Sequence, residues 1–286
     1  MGLCGMRHLR KSKFGILAIA AACFLLLVGY KEQTIRVHYT KDMVSVAHRG
    51  ASHFAPENTR AAFQKSVELN ADFLECDVHV SKDGELIIMH DDKIDRTTNG
   101  SGFIKEFTLD ELKQLDAGAS FSKEFKGEQI LTLNELIDEF YDQIGLLIEL
   151  KNPKLYPGIE EKIASLLGEY DDLSSIIVQS FDIDSMKKMS VLLPNLQVAV
   201  LIHPKDSLLS AAKLDDLASF ASYINFNVSF LNKKTVERVH DRGAKVFVWS
   251  KKDKNIIAKA HKYNVDGIIT DFSNWPYEEL IYLAQE

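Results

Sequence analysis

The feature that most restricts the fold of this chain is a series of eight short β-branched or aliphatic runs. They lie near residues 43–48, 73–78, 145–150, 175–180, 197–202, 223–226, 245–249 and 266–270 and are separated by helical stretches. Such alternation predicts parallel strands joined by helical crossovers, and eight repeats of it predict an α/β chain folded as a TIM-type (β/α)8 barrel. A ninth run at 85–89 follows the second through only Ser81-Lys82-Asp83-Gly84, too short for a helical crossover. It is expected as an antiparallel hairpin arm beside the barrel mouth. About 55 residues then separate His90 from the next barrel run, so a small insertion after the second strand, about 93–140, is expected at the same end.

The amino-terminal residues have a different composition. Residues 1–13 carry Arg7, Arg10, Lys11 and Lys13, and residues 14–30 carry no charge at all. As a helix, that uncharged stretch rises roughly 25 Å against a hydrocarbon core of about 30 Å, which predicts a transmembrane helix that only just spans. A signal peptide cleaved near Ala20-Ala21-Ala22 is the alternative, but the apolar run continues through Phe24-Leu25-Leu26-Leu27-Val28. Basic residues before the span hold the amino terminus in the cytoplasm. Residues 31–286 are therefore expected on the extracytoplasmic side of the cell membrane, tethered by a single pass, or secreted if the segment is cleaved.

That main domain has one cysteine, Cys76, and so no internal disulfide. Beyond residue 30 its 30 Lys and Arg face 41 Asp and Glu, a net charge of about −11, which excludes a nucleic-acid binder. Any anionic substrate must be captured by local cations such as Arg49 and Lys151.

The chemistry is concentrated at strand ends. Residues two apart on a strand share a side, so Glu75 and Asp77 converge while Cys76 faces away, and Glu149 and Lys151 converge on their own strand. Three carboxylates meeting at one mouth require a cation, and hard oxygen ligands suit Mg²⁺ or Ca²⁺. His48 and His90 also end apolar runs, where an imidazole can transfer protons or bind the metal. After His48 come Arg49, whose planar fork matches two phosphate oxygens, and Gly50, which lets backbone approach a ligand. These residue types at these positions point to metal-assisted hydrolysis of a phosphodiester.

Read in order, His48-Arg49-Gly50, Pro56-Glu57-Asn58-Thr59, Glu75-Cys76-Asp77-Val78, His90-Asp91, Asp95-Arg96-Thr97-Thr98-Asn99-Gly100, Glu149-Leu150-Lys151, Gln179-Ser180-Phe181-Asp182, Trp249 and Gly267-Ile268-Ile269-Thr270-Asp271 resemble the glycerophosphodiester phosphodiesterase family from about residue 43 to 275. The resemblance implies that Glu75, Asp77 and Glu149 hold one divalent metal, that His48 and His90 are the acid–base pair, and that Arg49 and Lys151 bind phosphate. It places Trp249 against the glycerol or alcohol part, with Glu57, Asn58 and Asp271 in support. The family commonly continues from this tryptophan with Thr or Val and then Asn, whereas Ser250-Lys251-Lys252 stands here.

The implied activity is metal-dependent hydrolysis of small glycerophosphodiesters to glycerol 3-phosphate and an alcohol, in phospholipid or envelope glycerol metabolism. The nucleophile is water, or a glycerol hydroxyl that first gives a cyclic phosphate. Two alternatives stand beside it: a lysophospholipase D-like enzyme acting on lysolipids, and a noncatalytic glycerophosphate-binding barrel. Neither the oligomeric state nor the head group is encoded in a recognisable pattern.

Overall fold

A computed structural model describes residues 43–250 and 255–272. Eight parallel strands close into a barrel: β1 (Val44–Ala47), β2 (Phe73–Val80), β4 (Gly145–Leu150), β5 (Ile176–Ser180), β6 (Gln197–Ile202), β7 (Tyr223–Asn227), β8 (Phe247–Trp249) and β9 (Gly267–Thr270). Closure is made by β1, where Val46 pairs with Phe73 on one side and Ile269 on the other. The hairpin arm is β3 (Leu86–Ile88), antiparallel to β2 with His79 opposite Ile87. This is the (β/α)8 architecture expected from the alternating runs.

The helices are α1 (Arg60–Glu68), α2 (Leu109–Leu112), α3 (Leu133–Phe140), α4 (Ile159–Leu167), α5 (Ile183–Leu192), α6 (Ala211–Ala218), α7 (Lys233–His240) and α8 (Ile256–Tyr263), and most start where a side chain caps them. Thr132 and Glu135 form a capping box at α3, and Asp182, Ser210 and Asn232 accept the free N–H groups that open α5, α6 and α7.

The two-residue period of each strand sorts its side chains into two cores. Outward-facing Leu74, Cys76, Val78, Leu146, Ile148, Val178, Val198, Val200, Ile224, Val248 and Ile268 are buried beneath the helices. Inward-facing Val46, Leu147, Ile177, Ala199, Tyr223, Phe247 and Ile269 form a separate apolar cluster within the barrel, with Val44, Phe73 and Trp249 packed against it. Strands covered on both faces read as continuous apolar runs, which is why they stood out in the sequence. Further along the same strands the inward positions turn polar: Glu75 and Asp77 on β2, Glu149 on β4, Gln179 on β5 and Asn225 on β7, all buried. The apolar cluster thus closes one end of the barrel and supports a polar floor at the carboxyl ends, where barrel enzymes carry their chemistry.

The excursion between β3 and β4 has a small core of its own, built from Ile87, Met89, Ile94, Ile104, Leu112, Ala117 and Ile130. It ends sooner than the expected 93–140. Leu133, Leu136, Ile137 and Phe140 of α3 pack with the main helical layer, so α3 is the barrel's own crossover helix. Among the described residues no helix is long and apolar enough to cross a membrane. The expected transmembrane helix at 14–30 lies outside the described residues.

Candidate active site

Eight of the residues singled out by sequence line one cavity of about 150 Å³: His48, Arg49, Glu75, Asp77, His90, Glu149, Lys151 and Trp249. Strand register explains the convergence. In the parallel pairing of β2 with β4, Asp77 stands beside Glu149, and Glu149 in turn stands beside Gln179 of β5. The carboxylates of Glu75, Asp77 and Glu149 offer oxygens within 4.8 Å of one another, and all three residues are buried.

The charges around this triad are unbalanced. Lys151 Nζ lies 2.7 Å from Glu149 Oε1 and 3.3 Å from Asp77 Oδ1, and Arg49 Nε lies 3.7 Å from Asp77 Oδ2. Two cations therefore serve three carboxylates, and Arg49 is shared with Glu57 at 2.9 Å. Burial, then Asp77 and Glu149, push the Glu75 carboxyl well above its ordinary range, although it accepts the Arg49 backbone N–H at 2.7 Å. Burial, and Asp77 with it, also raise Glu149 in spite of Lys151. Asp77 alone is held down, to about 2, because Lys151, His90, Arg49 and the Asn58 amide outweigh its burial. A buried site with an excess carboxylate charge and hard oxygen donors is the chemistry that a divalent cation completes, so the residues present fit one.

Two polar atoms of the cavity-lining residues are left over. Arg49 Nε is buried without a hydrogen-bond partner among the described residues, a donor in want of an acceptor. Trp249 Nε1 is buried and has no hydrogen-bond partner among the described residues, so the indole that sequence cast as an apolar wall also brings a donor.

The two histidines are held alike. His48 Nδ1 meets Asp271 Oδ1 at 2.5 Å, and His90 Nδ1 meets Asp91 Oδ1 at 2.6 Å. Each pairing leaves Nε2 as the ring nitrogen available to the cavity. Burial, with Lys151 and Arg49, lowers the His90 pKa against the pull of Asp77, which favours a neutral ring. His90 is also fixed through its backbone: buried His79 meets the His90 carbonyl oxygen at 3.2 Å through Nε2 and Tyr156 Oη at 3.0 Å through Nδ1.

The turn after β1 needs unusual backbone. Arg49 and Asn58 have φ of 56° and 57°, and Gly50 has φ of 75°. A Cβ at Gly50 would sit 2.7 Å from the Ala62 carbonyl carbon, so α1 packs directly on this glycine. The turn delivers Arg49 over the carboxylates, and Asn58 donates to Asp77 Oδ2 at 2.9 Å. Glu57, Asn58 and Asp271, expected as supports, thus touch Arg49, Asp77 and His48 respectively.

Several contributors carried no assigned role in the sequence. Gln179, Phe181, Leu201 and Ile269 line the same cavity. Asn225 Nδ2 donates to Gln179 Oε1 at 3.2 Å, and Asn225 Oδ1 accepts the Phe247 N–H at 3.0 Å. The signal for Gln179 and Asn225 was available, since each is a lone amide inside an apolar run. Asp91 and Arg96 stood in recognised motifs, but nothing in the spacing showed that they meet.

Comparison with known proteins is consistent with this geometry. Residues 48–274 match the model of the glycerophosphoryl diester phosphodiesterase family. YhdW of Bacillus subtilis strain 168 is 42% identical over 233 residues, 82% of this chain and 96% of the relative. A glycerophosphodiester phosphodiesterase of Caldanaerobacter subterraneus subsp. tengcongensis is 40% identical over 233 residues, 79% of this chain and 93% of its own. The structure of an Oleispira antarctica phosphodiesterase in complex with the product sn-glycerol-3-phosphate superimposes with a TM-score of 0.75 at 29% identity, covering 84% of this chain and 96% of that one.

Proposed function

Since this chain belongs to the glycerophosphoryl diester phosphodiesterase family, we propose that it hydrolyses small glycerophosphodiesters to glycerol 3-phosphate and an alcohol, using one divalent metal ion, Mg²⁺ or Ca²⁺. The observation that carries this proposal is the arrangement of charge in one cavity. Three buried carboxylates lie beside Arg49 and Lys151, and His48 and His90 flank them with Nδ1 already committed.

Glu75, Asp77 and Glu149 hold the metal, which when bound supplies positive charge against the phosphodiester oxygens. Counted by formal charge, a divalent ion with Arg49 and Lys151 exceeds the three carboxylates by one, which the single negative charge of a phosphodiester balances. The unpartnered Arg49 Nε and the Lys151 ammonium group take phosphate oxygens and stabilise the charge that develops there.

His90, kept neutral, accepts a proton at Nε2 from the attacking water. His48 gives a proton from Nε2 to the departing alkoxide. The division rests on the carboxylates behind the rings. Asp91 behind His90 is also bonded to Arg96, at 2.6 Å, whereas Asp271 lies against His48 Nδ1 at 2.5 Å. Each proton transfer contributes roughly 10²–10⁴ in rate. Trp249, Phe181 and Leu201 form the wall against the alcohol.

A second substrate class is favoured by one observation. Phe181 and Leu201 also line an adjoining groove of about 500 Å³ with Ile183, Ile202 and Leu208. The groove also carries His203, Lys205, Asp206 and Lys213, so an alkyl chain attached to the glycerol would meet apolar surface along Phe181, Ile183, Ile202 and Leu208 rather than throughout, and this is the support for lysolipids as substrates. No observation favours a barrel that only binds. For location we retain the sequence-based proposal: a single-pass anchor at 14–30 with the barrel outside the cytoplasm, in service of phospholipid or envelope glycerol turnover.

The test is release of glycerol 3-phosphate from glycerophosphocholine by the full chain with Mg²⁺, with Ca²⁺ and with chelator, beside His90→Ala. Metal-dependent release that His90→Ala abolishes is expected. Full activity in excess chelator overturns the metal assignment, and undiminished activity of His90→Ala overturns its proton-transfer role.

A further inference from the structure

The motif Asp95-Arg96-Thr97-Thr98-Asn99-Gly100 lines no part of the catalytic cavity, yet its arginine closes a circuit behind the site. Arg96 is about half exposed, with 47% of its side chain accessible, and all three of its nitrogens nevertheless bond to carboxylates. Nη1 and Nη2 donate to Glu57 Oε2 and Oε1 at 2.7 and 2.8 Å, and Nε donates to Asp91 Oδ2 at 2.6 Å. Each carboxylate then passes its other contact inward. Glu57 Oε1 accepts from Arg49 Nη1 at 2.9 Å, and Asp91 Oδ1 meets His90 Nδ1 at 2.6 Å.

The rest of the motif builds a platform for that fork. Asp95 accepts from Ser101 Oγ and the Gly102 N–H, and Thr98 Oγ1 donates to the Ile94 carbonyl at 2.7 Å while accepting the Gly100 N–H. Asn99 Oδ1 accepts the Asp116 N–H at 2.9 Å. Ile94 beneath is fully buried in the excursion's own core. A planar guanidinium can bind one carboxylate with two parallel Nη–H bonds and a second through Nε–H, which a lysine ammonium cannot reproduce.

We propose that Arg96 is a positioning residue that ties the phosphate-binding arm, Glu57–Arg49, to the proton-transfer arm, Asp91–His90, so that the two are set as one unit. It touches no reacting atom and acts through the two carboxylates. The inference rests on the hydrolysis proposed above, and one of its tests does not.

The kinetic test uses the full chain, glycerophosphocholine and divalent metal, with Arg96→Gln and Arg96→Lys. Arg96→Gln is expected to lower kcat about 10- to 100-fold and to raise KM several-fold, with an unchanged melting midpoint. Arg96→Lys reaches one carboxylate only, so it is expected to recover one parameter and not both. In double-mutant cycles the kcat loss should be non-additive with Asp91→Asn, and the KM rise non-additive with Glu57→Gln. Additive effects, or kinetics within two-fold of wild type in both Arg96 variants, overturn the proposal.

The second test needs no turnover: histidine ring NMR of the metal-free protein. His90 faces Asp77, Lys151, Arg49 and Asp91. Removing the Arg96 charge leaves Asp91 undivided, so the His90 titration midpoint is expected to rise in Arg96→Gln. A midpoint unchanged from wild type overturns the coupling. If the wild-type chain releases no glycerol 3-phosphate, the hydrolysis proposal fails on its own and the NMR result still decides the role of Arg96.

Discussion

Replacing Glu75 by Gln is expected to stabilise the metal-free protein and abolish its response to metal, two effects of opposite sign from one substitution. With carboxylate oxygens within 4.8 Å, each repulsion of Glu75 by Asp77 or Glu149 is worth at least about 3.5 kcal/mol at an effective dielectric constant near 20. Against that gain, the Arg49 N–H bond to Oε2 loses its charged acceptor, roughly 1 kcal/mol, and the attraction of Arg49 is forfeited. Taking the Arg49 attraction as about equal to one such repulsion, a net gain of about 2–3 kcal/mol remains, or roughly 5–10 °C in Tm for a barrel of this size. In wild type, divalent metal at about 100 times Kd should add about 2.7 kcal/mol. In Glu75→Gln that increment should largely vanish. The assay is thermal unfolding at pH 8 in chelator and in millimolar Mg²⁺ or Ca²⁺. The sign with pH follows from the raised Glu75 pKa. Native protein binds the extra proton, so metal-free wild type should gain stability as pH falls from 8 toward the unfolded carboxylate value near 4.5. A Glu75→Gln protein that melts below wild type in chelator and keeps the full metal increment would refute the reasoning.

Three other substitutions probe the frame. Gly50→Ala should cost about 2–4 kcal/mol, from an alanine at φ 75° and a Cβ driven against Ala62, and should lower Tm by at least about 5 °C. Asp271→Asn should reduce kcat about 10²-fold while leaving the affinity for glycerol 3-phosphate nearly unchanged, read by steady-state kinetics and product inhibition. His79, whose burial lowers its pKa, contributes stability that is fully present above about pH 6.5 and lost as pH falls through the folded value. In His79→Gln the decline of denaturation midpoint between pH 7 and 5 should be shallower, and an unchanged slope would exclude that contribution.

What the sequence determined by itself was whatever follows from period and residue type. Eight doubly covered strands are apolar over most of their length, so they were visible as runs, and a two-residue spacing was enough to point Glu75 with Asp77 and Glu149 with Lys151 toward a common side. The need of clustered carboxylates for a cation is likewise chemistry independent of the fold. Contacts between distant segments were decided only by tertiary structure. Parallel register brings Asp77 beside Glu149, 72 positions later, and barrel closure brings Asp271 to His48 across 223 positions. The excursion was legible as surplus length, but its folding against a core of its own is what carries Arg96 back to Glu57 and Asp91. Local pattern is set by the backbone's own geometry, whereas the choice of partner depends on how loops of different lengths return to one barrel mouth, and no short stretch of sequence records that.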